Sequence, residues 1–449
     1  MSGDKRALLK QWLESGKAKL QPLTFPQREL WETSPVQVTD MANHICCLIH
    51  VRGAITPQEC ERAIQRVVER QEALRVSFLP GKDRPVQMIR EFGETNFRFR
   101  EIPEAKDVSD RVEEISREVF SEPFDLVQGP LYRVELLSKT ANDHVLVFAI
   151  HHAIADGWTL GVFIQDLCVA YLQGLRGIRD PLPPVPQTYT AWGAAERAFW
   201  QPAEINQRAP IWKSHLEGSK RLWEGFEGPV TAAGPLKRIV YHFPSELAAA
   251  ARELARSSGA TLFSTLLTVF QIAFSKWSGT HDLVVGTPVA NRTRPSVRET
   301  MGYCSGVIPI RGQIDVSRPF TRSLSQMHQT TVDCIANAMP FAELAQTLGE
   351  ATSPGHPPVF EVRFALQNHP IPDVALPGMS AKLTMRSTGT ARFHLACEVT
   401  EEGEELEVVW LYRDRLFPHA DVEDLGRLFQ VVLASACRSP ANEVSSFGI

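Results

Sequence analysis

The stretch VFAIHHAIADGWTL, residues 147–160, places two adjacent histidines at the end of an apolar run and an Asp-Gly pair shortly after them. The apolar run predicts a β-strand, and Asp156-Gly157 is a turn signal that precedes a helix pattern. Because successive side chains of a strand point to opposite faces, His151 and His152 cannot both face one cavity. At most one of the two is therefore a site residue, displayed where a strand turns into a helix.

Strand and helix patterns alternate in both halves of the chain, which predicts an α/β protein. A chain of 449 residues exceeds the size at which one core usually keeps growing, so two lobes are expected. Residues 179–187, RDPLPPVPQ, contain four prolines and can neither continue a helix nor lie inside a sheet, so we place the lobe boundary there. The predicted segments are a charged amphipathic leader that is a docking helix or a linker (1–20), an N-terminal lobe (21–180) and a C-terminal lobe (181–449).

The composition excludes several classes of protein. Hydrophobic residues make up 43% of the chain, charged residues 22%, and the net charge is -5, without the basic bias of a nucleic-acid binder. No apolar run approaches the length needed to cross a bilayer. The eight cysteines show no C-x-x-C spacing, so neither a zinc site nor a disulfide framework is indicated. We expect a soluble, cytoplasmic monomer that binds neither nucleic acid nor membrane.

The residues alone leave more than one use for the histidine pair. Imidazole titrates near neutral pH, so either His151 or His152 could accept a proton from an attacking amine or hydroxyl. Metal binding is disfavoured because the two side chains diverge and no nearby Asp, Glu, Cys or His completes a ligand set. Two histidines packed in the core remain the alternative explanation.

The string HHAIADG matches H-H-x-x-x-D-G and resembles the condensation domains of nonribosomal peptide synthetases, members of the chloramphenicol acetyltransferase-like superfamily. Several further stretches are similar to other motifs of that family and occur in the same order. They are LTFPQRELW (23–31), RQEALRVSF (70–78), YTAWGAAERAFW (189–200), VGTPVANRTRP (285–295), MGYCSGVIPIR (301–311), NAMPFAELAQTL (337–348) and HPPVFEVRFALQN (356–368). Ordered matches over nearly the whole chain are harder to obtain by chance than one motif.

The resemblance implies two acetyltransferase-like lobes in a V-shaped pseudodimer with a central tunnel. Donor and acceptor carrier proteins would dock at opposite mouths and present substrates on phosphopantetheine, while the chain itself binds no cofactor and no metal. The implied reaction is attack of an amine on a carrier-bound acyl or aminoacyl thioester, giving an amide in nonribosomal peptide or hybrid polyketide-peptide biosynthesis, including that of antibiotics. Neighbouring synthetase domains are further implied partners.

By the same resemblance, His152 is the catalytic residue, midway along the tunnel, and His151 packs behind it. Sequence does not separate a role for His152 as general base from a role in orienting the amine. The resemblance also implies four residues that line the substrate tunnel: Trp158, Tyr303, Ser305 and Gly306.

Asp156 is implied to be a structural brace rather than a base, since a buried carboxylate needs a partner and an arginine can supply one. The family's arginine maps onto Arg292, with Arg294 as the alternative. Simple capping of the following helix by Asp156 stays open. Gly157 is expected to allow a backbone conformation or a close approach that a side chain would block.

Three positions depart from the family pattern. Gln71 stands where the second motif usually has histidine, Gly306 where the fifth commonly has asparagine, and Cys304 where it has a second aromatic residue. The departures at Cys304 and Gly306 bear on substrate contacts more than on the fold, because the spacing of SGVIPIR is kept. We interpret Cys304 as a packed thiol rather than a nucleophile, because direct transfer needs no covalent intermediate.

Other functions remain as alternatives. An ester-forming condensation enzyme and an acyl-CoA-dependent acyltransferase belong to the same superfamily. A catalytically inactive domain that recruits carrier proteins is a further alternative, although His152 and Asp156 are both present. An epimerization domain is disfavoured, because no string resembling that subfamily's Glu-Gly-His-Gly-Arg-Glu motif occurs.

Overall fold

The computed structural model describes residues 10–33, 41–103, 108–220, 222, 236–350, 359–367, 375–376, 379–386 and 394–448. Its strands are β1 (Ala18–Gln21), β2 (His44–Arg52), β3 (Val76–Leu79), β4 (Val86–Arg90), β5 (Phe97–Glu101), β6 (Tyr132–Thr140), β7 (Asp143–His151), β8 (Leu236–Phe243), β9 (Asp282–Val289), β10 (Gly306–Gln313), β11 (Val362–Gln367), β12 (Ala375–Leu376), β13 (Met379–Arg386), β14 (Leu395–Glu402) and β15 (Glu405–Arg413).

Helices alternate with these strands along the chain. Within the same residues they are α1 (Phe25–Thr33), α2 (Pro57–Arg70), α3 (Val108–Ser121), α4 (Gly157–Leu175), α5 (Tyr189–Phe199), α6 (Pro202–Leu216), α7 (Ser245–Ser257), α8 (Leu262–Ser278), α9 (Phe320–Ala336), α10 (Phe341–Leu348) and α11 (His419–Arg438).

Two six-stranded sheets organise the chain, and we call the units built on them the first and the second lobe. The first sheet has the order β12-β13-β2-β7-β6-β5, and the second has the order β10-β9-β11-β14-β15-β8. Each sheet has its own hydrophobic core. This architecture confirms the predicted α/β class with two lobes.

Strand β7 lies in the interior of the first sheet, between β2 and β6. Its residues from 144 to 151 are all buried, which suits an apolar strand covered on both faces. The register places His44 of β2 opposite His151, the last residue of β7. The central strand of the first lobe therefore delivers the histidine pair to the end of the sheet.

The second core is built around helix α8, in which every residue from 264 to 275 is buried. Phe270 of this helix packs against Phe364 and Trp410 of the second sheet, with ring centroids 5.2 and 5.8 Å apart. The side chain of Thr261 caps the helix at its start, and Gly279 ends it with a positive φ of 72°. A left-handed residue after a helix is the usual place for glycine.

Segments of the second half of the chain join the first lobe. Strand β13 pairs antiparallel with β2, from Ser380 opposite Arg52 to Arg386 opposite Cys46. Residues 290–305, which we call the β9–β10 connection, contribute to the first core the side chains of Val297, Met301, Tyr303 and Cys304. The predicted division at residue 180 thus separates two stretches of sequence that the fold interleaves.

The end of the predicted leader also belongs to the fold. Strand β1 pairs with β4 in a small sheet of order β1-β4-β3. A helical segment at 10–14 precedes it, and its Trp12 and Leu13 pack against the cluster formed by Ala18, Leu79 and Met88. Residues 1–9 lie outside the described residues.

A membrane span requires a helix of sufficient length and apolar composition. In the part of the chain that the structure describes, no single helix combines the length and apolar composition needed to cross a bilayer. Helices α7 and α8 meet both criteria only when taken together, and they are bent by 107° at the break between them.

Gly286 and Gly306 lie in the paired strands β9 and β10, and replacing each by alanine should have opposite effects on stability. A Cβ on Gly286 would lie 2.0 Å from Cε2 of the buried Phe360 ring, whereas a Cβ on Gly306 would lie 3.7 Å from its nearest neighbour, Val289. We expect Gly286→Ala to cost about 1–3 kcal/mol of stability through overpacking. Gly306→Ala, the control, should be neutral or stabilising by about 0.4–1 kcal/mol. Urea unfolding midpoints of the two variants would check this, and equal midpoints would contradict it.

Candidate active site

The chain turns sharply at the histidine pair. Strand β7 ends at His151, and His152–Ile154 forms one turn of 3-10 helix before α4 begins. Two hydrogen bonds hold this turn at Ala153: its N–H donates to His151 Nδ1 at 3.1 Å, and its carbonyl accepts from Gln27 Nε2 at 2.9 Å. The backbone that carries His152 is thus fixed on both sides.

The two histidine rings occupy different environments. His151 is buried, with its ring 6.0 Å from that of His44 and 6.1 Å from that of Phe124. His152 is partly exposed, and its ring meets the ring of Tyr303 edge-on, with centroids 4.4 Å apart at 61°. Tyr303 belongs to the β9–β10 connection, so His152 lies where the second half of the chain reaches the first lobe.

Asp156 makes two kinds of contact at once. It caps α4, because its Oδ1 accepts hydrogen bonds from the backbone N–H and the hydroxyl of Thr159, both at 3.0 Å. Its carboxylate also pairs with Arg292 Nη2, at 3.1 Å to Oδ1 and 3.2 Å to Oδ2. The backbone N–H groups of Cys304 and Ser305 donate to Oδ2 at 3.0 and 3.1 Å. Asp156 therefore caps α4 and pairs with Arg292 at the same time, so the two contacts are not alternatives.

Arg292 holds the β9–β10 connection as well as the carboxylate. Its Nη1 donates to the carbonyls of Val297 and Thr300 at 2.9 and 2.6 Å, and its Nη2 also donates to the carbonyl of Gly302 at 3.0 Å. Both Arg292 and Asp156 are almost completely buried. Arg294, the alternative from the sequence, is exposed.

The pKa shifts of Asp156 and Arg292 agree with an ionised pair. Burial raises the pKa of the Asp156 carboxyl, but the Arg292 charge and the hydrogen bonds from Cys304 and Thr159 outweigh it, so the pKa lies below its ordinary value. Burial lowers the pKa of Arg292, and the neighbouring Asp156 charge raises it above its ordinary value. Both groups are therefore charged near neutrality, and each compensates the other's burial.

The remaining predicted site residues surround this pair. Trp158 is partly exposed, donates from Nε1 to the carbonyl of Arg298 at 2.9 Å, and has the Arg292 guanidinium 5.8 Å from its ring. Gly157 is the first residue of α4, and Ser305 and Gly306 are partly exposed. All of them lie next to the contact between α4 and the β9–β10 connection.

Cys304 is fully buried beneath the same contact. Burial raises the pKa of its thiol well above the ordinary value, although the charge of Arg292 lowers it in part. A thiol that keeps its proton is a poor nucleophile. Within the described residues, no group of three or more His, Cys, Asp and Glu side chains is arranged to hold a metal ion.

Sequence reasoning assigned no role to Gln71, a further side chain that holds the β9–β10 connection. Gln71 is buried, donates from Nε2 to Asp166 Oδ2 at 2.7 Å and to the carbonyl of Glu299 at 2.9 Å, and accepts from the N–H of Met301 at 2.9 Å. Only its place in the second motif pointed to it, as the position where the family usually has histidine. The glutamine amide can donate and accept at the same time, as three such bonds require.

The fold is that of solved condensation domains. The condensation domain of the Monacolin K polyketide synthase MokA superposes with a TM-score of 0.81 over 95% of this chain and 99% of that chain, at 16% sequence identity. A family model described as the condensation domain matches residues 17–449, and the chain therefore belongs to the condensation domain family.

Curated relatives are similar to nearly the whole chain. A linear gramicidin synthase of Brevibacillus parabrevis is 26% identical over 436 residues, and phosphinothricin tripeptide synthetase PhsC of Streptomyces viridochromogenes is 27% identical over 442 residues. These alignments cover 94% and 95% of this chain but only 8% and 40% of the two relatives. The chain thus corresponds to one part of much longer proteins.

Removing the charge of Asp156 is expected to destabilise the protein strongly at neutral pH. Asp156→Asn leaves Arg292 buried without its counter-charge, which costs about 3 kcal/mol or more when a buried pair loses one partner. The folded pKa is lowered, so the contribution of Asp156 is fully present above the unfolded value of about 3.9 and is lost as pH falls through the folded value. The stability difference between wild type and Asp156→Asn should therefore shrink below about pH 4.

Urea unfolding from pH 3 to 7 measures this difference. Glu253→Gln is the control, because Glu253 pairs with Arg256 at 2.6 Å on an exposed helix surface. Its unfolding midpoint should remain close to that of the wild type throughout. Equal neutral-pH midpoints for Asp156→Asn and wild type would show that the buried pair is not a brace.

Proposed function

We propose that this chain joins a carrier-bound acyl or aminoacyl thioester to an amine acceptor, forming an amide in the biosynthesis of nonribosomal or hybrid polyketide-peptide products. The observation that carries this proposal is the placement of His152. Its ring is the partly exposed member of the pair, lies beside Tyr303, and extends from a turn fixed by hydrogen bonds. An imidazole held in this way can meet a substrate that enters between the lobes.

In the proposed reaction, the acceptor nitrogen attacks the thioester carbonyl carbon. A C–N bond forms, the C–S bond breaks, and the proton lost by nitrogen ends on the carrier thiol. An α-amino group has a pKa of about 7.7–8.0, so much of it is protonated near neutrality and unreactive until the proton leaves. His152 would take that proton or hold the amine in line for attack.

Typical rate effects indicate that positioning of the reactants contributes more to the rate than proton transfer does. General-base help is typically worth about 10²–10⁴-fold in rate. Holding two reactants in register reaches effective molarities of about 10⁵–10⁸ M in well-oriented systems. The firm anchoring of the His152 turn suits either role, because both require the imidazole at a defined distance from the reacting atoms.

The partners follow from the same reaction. Donor and acceptor carrier proteins would reach His152 through opposite mouths of a tunnel between the lobes, each presenting its substrate on phosphopantetheine, with Trp158, Tyr303, Ser305 and Gly306 along the passage. The named relatives are a synthase and a synthetase of which this chain matches only a part, which supports neighbouring synthetase domains as further partners. In this proposal the chain works as a monomeric unit in the cytoplasm and needs no bound cofactor of its own.

Replacing the imidazole should slow transfer without unfolding the protein. We expect His152→Ala to lower amide formation by at least about tenfold. The thermal midpoint should stay near that of the wild type, because the ring is partly exposed and lies in the turn after a strand. Intact-protein mass spectrometry of acyl-loaded carrier proteins, mixed with amine-loaded acceptor carriers, measures product directly. His242→Ala removes an exposed histidine on β8 and serves as the control with normal rates.

The same assay separates the alternatives. Product from hydroxyl-bearing acceptors alone would indicate an ester-forming enzyme, and product from acyl-CoA without a carrier would indicate a free acyltransferase. Unchanged turnover in His152→Ala would contradict the proposed role of this residue. Carrier binding without any transfer across the panel would identify a recruitment domain instead.

A further inference from the structure

A series of buried hydrogen bonds connects Tyr303 with Ala153, the residue that follows His152. It begins at the carbonyl of Tyr303, which accepts from the hydroxyl of Tyr189 at 3.0 Å. The same hydroxyl lies 3.0 Å from Thr24 Oγ1. Because the Tyr189 hydroxyl donates its one proton to the carbonyl, the threonine hydroxyl is the donor in this second bond.

The series continues through α1 to the histidine turn. The N–H of Thr24 donates to Gln27 Oε1 at 2.9 Å, and Gln27 Nε2 donates to the carbonyl of Ala153 at 2.9 Å. Ala153 follows His152 directly. One continuous polar path therefore runs from the backbone of Tyr303 to the turn that carries His152.

Every side chain on this path is inaccessible to solvent. Tyr189 and Gln27 are 0% exposed, and Thr24 is 1% exposed. Buried polar groups that lose a partner cannot recover it from water, so the network has one low-energy arrangement. Burial also raises the pKa of Tyr189 well above its ordinary value, and its hydroxyl remains a donor at any working pH.

Packing fixes the Tyr189 ring as firmly as the hydrogen bonds fix its hydroxyl. The ring stacks on Trp192 with centroids 5.7 Å apart. It also fills the space beside Gly302, where a Cβ would lie only 2.2 Å from Tyr189 Cδ2. Gly302 has a positive φ of 153° and immediately precedes Tyr303. The tyrosine is thus held against the backbone of the β9–β10 connection at the point where that backbone presents Tyr303.

We propose that Tyr189 is a positioning residue for the reaction, acting through Tyr303 and through the histidine turn on the imidazole of His152. Asp156 holds the backbone after Tyr303 through the N–H groups of Cys304 and Ser305, and Tyr189 holds the carbonyl of Tyr303 itself. With both anchors present, the ring that contacts His152 has a defined place. The inference rests on the proposed function for its catalytic consequence, but its structural content can be tested separately.

A matched pair of tyrosines tests the proposal. Tyr132 is also 0% exposed and also makes two hydroxyl hydrogen bonds, donating to the carbonyl of Glu94 at 3.1 Å and accepting from the N–H of Asn96 at 3.3 Å. It lies on β6, and its hydroxyl contacts the segment before β5 rather than the histidine turn. Tyr189→Phe and Tyr132→Phe remove the same group from equally buried places.

The first readout needs no substrate. The full chain is produced with ¹³C-labelled histidine, and the ring resonance of His152 is identified as the one of 13 histidine signals missing from His152→Ala. We expect both phenylalanine variants to lose similar thermal stability. The His152 resonance should shift or broaden only in Tyr189→Phe.

The second readout is the transfer assay. We expect Tyr189→Phe to lower kcat by about tenfold with an unchanged KM for the loaded donor carrier, since displaced catalytic groups reduce rate rather than binding. Tyr132→Phe should retain the wild-type kcat. A His152 resonance that is the same in Tyr189→Phe as in Tyr132→Phe would overturn the positioning role, whatever the assay shows.

Thr24 provides a second, independent variant pair if Tyr189→Phe fails to fold. Thr24→Val keeps the methyl group that packs near Gly193 but removes the hydroxyl, whereas Thr24→Ser keeps the hydroxyl. The valine variant should disturb the His152 resonance and the serine variant should restore it. An undisturbed His152 signal in Thr24→Val would contradict the path. Absence of transfer in the wild type, with the resonance results as expected, would refute the proposed reaction and leave the positioning geometry standing.

Discussion

A buried ion pair of Asp156 and Arg292 lies at the centre of the contacts around His152 and Tyr303. It joins the start of α4 in the first lobe to the β9–β10 connection, which leaves the second sheet and returns to it. The carboxylate accepts from the arginine, from the Thr159 hydroxyl and from three backbone N–H groups. The guanidinium donates in turn to three carbonyls. An ion pair with so many satisfied atoms offsets the removal of two charges from water, which a bare pair would not.

The surroundings of this pair explain how residues 300–304 of the connection lie buried without regular secondary structure. A buried loop must satisfy its backbone groups without a sheet or a helix to do so. Here buried side chains serve that purpose: Arg292 and Thr159 hold Gly302, Gln71 holds Met301, and Tyr189 holds Tyr303. The buried stretch of the loop thus has side-chain hydrogen bonds at three successive residues, and the last of them, Tyr303, lies against His152.

Some of this could be predicted from the sequence and some could not. The strand before the histidines, the helix after Asp156 and the two α/β lobes follow from local periodicity and turn residues, and the structure contains all of them. The pairing of β13 with β2 joins residues more than 300 positions apart, which no local pattern encodes. The same holds for Gln27, Gln71 and Tyr189, because a buried amide or hydroxyl reveals its role only through distant partners. Motif matches drew attention to their stretches of sequence without indicating which atoms they bind.

The pairing of β13 with β2 has a consequence for the engineering of chimaeras of this chain. Cutting the chain in the proline-rich region would leave β2 as a bare sheet edge, with its row of unpaired amides and apolar side chains open to self-association. A hybrid that changes from one parent sequence to another between residues 187 and 379 would likewise have to pair β13 of one parent with β2 of the other. A chimaera that keeps β2 and β13 from the same parent must therefore transfer both lobes together.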